Sequence, residues 1–244
     1  MRSIKYFINF CLLIGFTFLA YSQTTDEIID KYITAIGGLE KINSIQTIKY
    51  VKITTMTVYE DNTIIYIKKP DKVRTESRSP WDTLVCVYNG MNGWYQSRYV
   101  KKPMKLGDRN VKEINKISEF DQLLVNYKEE GYKVEFINIE NVSESSAAYK
   151  LKLTTEDYTA FYFIDTITNY IIKTEKNSNL TENEINDIEL FSDFNSEDGF
   201  IMPHKIEGIT TFRGVTVRLP EIIKDVEINP QLNDDIFTIA DDKK

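Results

Sequence analysis

His204, in the run Met202-Pro-His-Lys, is the single histidine of the chain, and Cys11 and Cys86 are its two cysteines. A structural zinc site needs four such ligands and a His-x-x-x-His pair needs two histidines, so neither metal pattern can be assembled. A serine triad would depend on His204 as its base, and no Gly-x-Ser-x-Gly turn presents a nucleophile. The chain also lacks a Walker loop and a Gly-x-Gly-x-x-Gly turn, which removes the usual phosphate cradles. Asp193-Phe-Asn-Ser-Glu-Asp-Gly resembles the start of a calcium loop. Its glycine comes one position late, and His204 stands where the closing Glu belongs, so the run is read as a turn. Cys86 lies in the apolar run Leu84 to Tyr88, where a thiol is ordinarily buried and inert. The 37 acids offer many carboxylate pairs, and a hydrolase working through one of them stays open, but no spacing singles one out. No catalytic residue, metal ligand or cofactor is assigned.

What remains is an excess of apolar and aromatic side chains: 15 Tyr and 13 Phe. Many sit where both alternating sets of a strand are apolar, as in Leu84-Val-Cys-Val-Tyr and Ala160-Phe-Tyr-Phe-Ile. A sheet that is apolar on two sides must cover both, with other parts of the protein or with a ligand. Burying a methylene is worth about 0.8 kcal/mol, so a 14-carbon acyl chain yields on the order of 10 kcal/mol before ordering costs. A hydrophobic binding protein needs no catalytic group.

The elements that position these side chains follow from periodicity. Thr24 or Thr25 can cap a helix with Asp26 and Glu27 in its first turn. Ile28, Ile29, Tyr32, Ile33 and Ile36 follow at helical spacing, and Gly37-Gly38 ends it. Strands are expected near 47–59, 63–69, 72–78, 83–89 and 93–99. After a helical interval come 132–139, 147–154, 158–165, 170–176, 184–194, 200–212 and 216–229. Short turns such as Asp61-Asn62 and Glu197-Asp198-Gly199 favour hairpins in a long antiparallel meander. Between the two halves, Met104, Leu106, Val111, Ile114, Ile117, Phe120, Leu123, Leu124 and Tyr127 recur every three or four residues over 101–127. They predict one or two amphipathic helices that either plug a curved sheet or form a lid over an apolar groove.

Arg2 and Lys5 precede an apolar run from Phe10 to Ala20, and Ala20-Tyr-Ser offers the small residues a signal peptidase reads. This predicts an export signal cleaved after Ser22, leaving residues 23–244 as a single domain. Without Arg2 and Lys5 the formal charge of −7 becomes −9. Such an acidic chain argues against nucleic acid and against tight docking on anionic lipid heads. With Cys86 the only cysteine beyond that signal, no internal disulfide can form.

Several motifs together resemble the LolA-like family of periplasmic lipoprotein carriers, and within it the divergent outer-membrane lipoprotein-sorting proteins. They are the helix Asp26 to Ile36 running into Gly37-Gly38, the strand-Pro-strand Tyr66-Ile-Lys-Lys-Pro-Asp-Lys-Val-Arg, and the hairpin Val87-Tyr-Asn-Gly-Met-Asn-Gly-Trp-Tyr. The late strands Phe161 to Tyr170 and Gly199 to Glu207 fit too, as does the closing Asn229-Pro…Asp235-Ile-Phe-Thr. The resemblance implies a mainly β (α+β) fold: an incompletely closed antiparallel β-barrel, or half-barrel, with an N-terminal helix and inserted lid helices. It implies a monomeric periplasmic carrier of lipoprotein acyl chains or other lipids, moving them toward the outer membrane with membrane-bound donor and acceptor proteins as partners. In this reading Tyr66, Trp94, Phe161 and Phe163 line the groove, while Met104, Leu106, Phe120 and Leu124 contact it from the lid. Lys69 occupies the position of an arginine that helps close the lid in the well-studied carriers. It keeps the charge but not the planar fork of donors. The same fold also suits an envelope sensor or accessory binding module.

Overall fold

A computed structural model describes residues 24–118, 123–144, 146–155, 158–178, 185–212 and 214–239. The expected export signal and Phe120 lie outside the described residues. Helix α1 (Thr25–Ala35) opens on a reciprocal cap. The Thr24 hydroxyl accepts from the Glu27 amide at 3.2 Å, and the Glu27 carboxylate accepts from the Thr24 amide at 3.0 Å. Its Ile28, Ile29, Tyr32 and Ile36 stripe is buried. Gly37 then takes a φ of 123°, and a second short helix, α2 (Gly38–Ser44), starts at once. The glycine pair thus turns the chain from one helix into another instead of releasing it into the sheet.

Thirteen strands follow among the described residues. The first six are β1 (Thr47–Thr55), β2 (Glu60–Lys68), β3 (Lys72–Arg78), β4 (Thr83–Asn89), β5 (Gly93–Gln96) and β6 (Met104–Lys105). After helix α3 (Asp108–Ser118) come β7 (Lys133–Ser143), β8 (Ser146–Thr154), β9 (Tyr158–Asp165), β10 (Ile171–Ser178), β11 (Ile185–Glu197), β12 (Phe200–Phe212) and β13 (Val215–Ile228). They form one antiparallel sheet in the order β6-β5-β4-β3-β2-β1-β13-β12-β11-β10-β9-β8-β7. Two meanders run outward from the central β1–β13 pair. The edge strands β6 and β7 do not pair with each other, so the sheet stays open.

This topology dictates what the middle of the chain must do. The chain leaves one edge of the sheet at β6 and enters the opposite edge at β7; between them, Leu106 and Val111 pack over Gly93, and Leu124 and Tyr127 join the core. The expected helical interval 101–127 is in part corrected. Met104-Lys105 is a strand paired with Trp94 and Tyr95, and α3 begins only at Asp108, because Pro103 and Gly107 interrupt the early part of the apolar pattern. Residues 123–131 are turns.

One continuous apolar core joins Ile65 and Ile67 of β2 to Leu151 and Leu153 of β8, together with α1, α2, Leu124 and Tyr127. Those strands stand seven places apart in the sheet, about 33 Å if it were flat. A shared core therefore requires the sheet to curl around the helices. A second, smaller core of Val87, Phe237 and Ile239, with Tyr66, Val85, Trp94 and Leu232 around it, lies on the other face under the C-terminal segment.

Candidate functional site

The helix-bearing face is built from alternate strand residues: Ile48 and Tyr50 on β1, Ile65 and Ile67 on β2, Leu151 and Leu153 on β8, Tyr162 and Ile164 on β9, and Phe200 and Met202 on β12. α1, α2 and residues 123–127 cover it. The cover is fastened at its rim by polar contacts. Asp26 of α1 accepts from the Tyr127 hydroxyl and from Lys128 Nζ, the latter at 2.8 Å, and these donors hold its carboxyl below the ordinary range. The Phe136 amide of edge strand β7 donates to the Thr25 hydroxyl at 3.1 Å. Lys41 of α2 pairs with Asp198 at 2.8 Å in the β11–β12 turn. Beneath the cover, Tyr32, Ile36, Ile171, Phe191 and Phe200 enclose a cavity of about 20 Å³. Ligand sites ordinarily measure about 300–1,000 Å³, so this cavity as it stands is too small for an acyl chain.

The expected site residues divide between the two faces. Leu124 is fully buried in the helix-face core. Lys69 reaches the cover, its Nζ donating to the Ile42 carbonyl of α2 at 3.2 Å, and burial pulls its pKa below the ordinary lysine value. Leu106 packs over Gly93 beside Val111 of α3, leaving no room for a side chain there: a Cβ would lie 2.9 Å from Leu106 Cδ1. Met104 is 48% exposed on edge strand β6. Tyr66, Trp94, Phe161 and Phe163 point the other way. Tyr66 and Trp94 belong to the core beneath the C-terminal segment. Phe163 is roofed by the ammonium groups of Lys150 and Lys173, at 5.0 and 4.5 Å from its ring, and Lys150 also lies over Phe161. The period of two turns neighbours to opposite faces, so Ile65, Ile67, Tyr162 and Ile164 take the helix side instead. These four were masked in the sequence by equally apolar neighbours.

On the opposite face a cavity of about 340 Å³ lies between Tyr66, Arg74, Glu76, Asp235 and Ile236. Its cation is already engaged. Arg74 Nε donates to Glu76 at 2.7 Å, and its Nη1 donates to the Ile236 carbonyl at 2.9 Å. Alongside, Lys68 and Lys72 clamp Asp234 at 2.6 and 2.9 Å and hold its carboxyl below the ordinary range. His204 Nε2 lies 3.0 Å from Glu197 Oε1, but the ring N–H does not align for a hydrogen bond. Burial pushes the Cys86 thiol up, away from the reactive thiolate. Among the described residues no three His, Cys, Asp or Glu side chains converge as a metal site.

No family model and no curated protein matches the chain. Solved structures do. A LolA superfamily protein from Nitrosomonas europaea aligns over 88% of this chain and 98% of its own, with a TM-score of 0.59 and 14% identity. The fold is LolA-like. An outer membrane lipoprotein-sorting protein domain from Vibrio parahaemolyticus aligns over 86% and 94%, with a TM-score of 0.58 and 11% identity. A DUF1329 family protein from Desulfovibrio piger aligns over 87% and 96%, at 0.57 and 11%. The open sheet and its helical cover are therefore the LolA-like half-barrel that the sequence motifs implied. At these identities the likeness is one of fold.

Proposed function

We propose that this LolA-like protein is an envelope carrier that shelters acyl chains, of lipoproteins or other lipids, between its sheet and its helical cover, and that residues 1–22 direct its export. The observation that carries this reading is the construction of the helix face. A continuous apolar surface on an open sheet is closed by elements held at their rim through a few polar contacts, Asp26 with Tyr127 and Lys128, Thr25 with Phe136, and Lys41 with Asp198. Each such contact is partly exposed and screened by solvent, so it holds the cover only weakly. A 14-carbon chain offers on the order of 10 kcal/mol of burial in exchange for that of the cover's own Ile28, Ile29, Tyr32, Ile36 and Ile42. The reading assigns the protein no reaction.

Native mass spectrometry of the protein released gently from its own compartment tests it. Co-purifying lipid or lipoprotein is the expected result. An empty protein that also fails to take up fluorescent fatty-acyl probes would overturn the carrier reading.

The small size of the cavity beneath the cover, about 20 Å³, favours one second reading, an accessory module that binds another protein through its surface. It predicts a stable co-purifying polypeptide and no acyl uptake.

A further inference from the structure

We propose that the end of the sheet formed by the turns at residues 56–59, 79–82 and 97–102 is a docking surface for an anionic lipid bilayer.

Three turns on neighbouring strands build this end. The Met56 amide donates to the Tyr59 carbonyl at 2.8 Å, Ser79 to Asp82 at 3.0 Å, and Val100 to Ser97 at 3.3 Å. Their side chains are locked to one another. The Tyr59 and Trp81 rings meet edge to face at 4.7 Å. The Trp81 carbonyl accepts from Arg98 Nη1 at 2.6 Å and from the Tyr99 hydroxyl at 3.1 Å. The Arg98 guanidinium stands 5.5 Å from the centre of the Tyr99 ring. Yet the assembly does not bury its apolar groups: Val58 is 80% exposed, Tyr99 70% and Trp81 53%. A preorganised cluster that leaves an aliphatic and two aromatic side chains in water is a surface awaiting an interface.

Charge says which interface. Arg98, Lys101, Lys102 and Lys105 stand at this end against Glu60, Asp61 and Asp82, while Arg78 is paired with Glu76 at 3.4 Å. The Asp82 carboxylate is turned inward, accepting from the amides of Thr83 at 2.8 Å and Arg98 at 3.0 Å. Among the described residues no acid forms an ion pair with Arg98, Lys101, Lys102 or Lys105. The chain as a whole carries −7, so this end is a local cationic exception. Tryptophan and tyrosine settle at the headgroup level of a bilayer, where lysine and arginine meet lipid phosphates. The acidic remainder is repelled by the same surface, which orients the molecule with these turns toward the lipid. The acidic composition that argues against docking on anionic lipid heads is an average over the molecule, and the turns depart from it.

Flotation of the purified protein with vesicles tests this. The protein is expected to float with phosphatidylglycerol–phosphatidylcholine vesicles, to remain below with phosphatidylcholine alone, and to lose binding as salt is raised. K101E/K102E changes two exposed, unpaired lysines without touching the core, and should weaken binding about tenfold or more. In a Trp94→Phe background, brominated lipid should quench Trp81. Three results would overturn the proposal: no flotation at low salt, equal binding to both vesicle types, or undiminished binding of K101E/K102E. Capture by polyglutamate without vesicle binding would overturn it too, and would reassign the turns to an acidic polypeptide.

Discussion

Lys69 Nζ donates to the carbonyl oxygen of Ile42 at 3.2 Å and so joins the β2–β3 turn to the last turn of α2. Its neighbours Lys68 and Lys72 reach the other face, where both clamp Asp234. One turn therefore anchors the helical cover on one side of the sheet and the C-terminal segment on the other.

Burial lowers the Lys69 pKa from 10.5. The unfolded chain then keeps this proton at pH values where the folded protein has released it. Stability should rise with pH in the window below 10.5, because there the unfolded state binds more protons. Other lysines, Lys49 and Lys128, are raised and act in the opposite sense. The difference between the native protein and Lys69→Met isolates the effect. Urea midpoints measured from neutral pH upward should show the native protein gaining on the variant. A constant difference would contradict the assignment.

Gly37→Ala should unlatch the α1–α2 elbow. The φ of 123° disfavours any side chain, and a Cβ would lie 2.5 Å from the Gly199 carbonyl oxygen. The expected cost is about 1–3 kcal/mol, read as a lower thermal midpoint. Gly107→Ala, where a Cβ meets nothing, serves as the control and should cost under about 1 kcal/mol.

Phe237→Ala should cost about 3–5 kcal/mol, since the ring is 1% exposed against the fully buried Val87. Trp94 borders this core, so its emission should shift to the red in a Trp81→Phe background as water enters.

Asp165→Asn tests a polar anchor at the end of β9. Burial pushes the Asp165 carboxyl up. The amide of Thr168, the hydroxyls of Ser146 and Thr168 and the amide of Ile167 pull it down further, and the net direction is down from 3.8. That stabilisation is present above the unfolded value and fades as pH falls through the folded one. The variant should lose about 1–3 kcal/mol near pH 7 in chemical denaturation, and the gap should narrow below about pH 4.

Much of the fold was legible because its signals are local. Thr24 and Glu27 form the cap their spacing announces, and the Ile28–Ile36 stripe is the face α1 buries. The turns at Asn89 to Gly93 and at Asp198-Gly199 close hairpins where expected, since asparagine, aspartate and glycine accept the backbone angles such turns need. β6 was illegible because two residues show no alternation. α2 was illegible because a glycine pair signals a stop whether or not another helix follows. The candidate groove was the least legible feature. Tyr66 and Ile65, or Phe163 and Tyr162, are equally apolar, so hydrophobicity could not say which of each pair the cover would bury.

The sequence by itself determined helix α1, most of the long strands and their antiparallel hairpin order, which follow from neighbours within a few residues; the turn expected at Asp61-Asn62 lies instead at residues 56–59, with both residues inside β2. Only the tertiary structure decided which face meets the helices, that a cavity of about 20 Å³ lies between Tyr32 and Phe200, and that exposed aromatics and cations from three separate turns share one end. Those facts depend on strand register and on a chain segment crossing from one sheet edge to the other. Contacts between residues far apart along the chain settle both, and no local pattern encodes them.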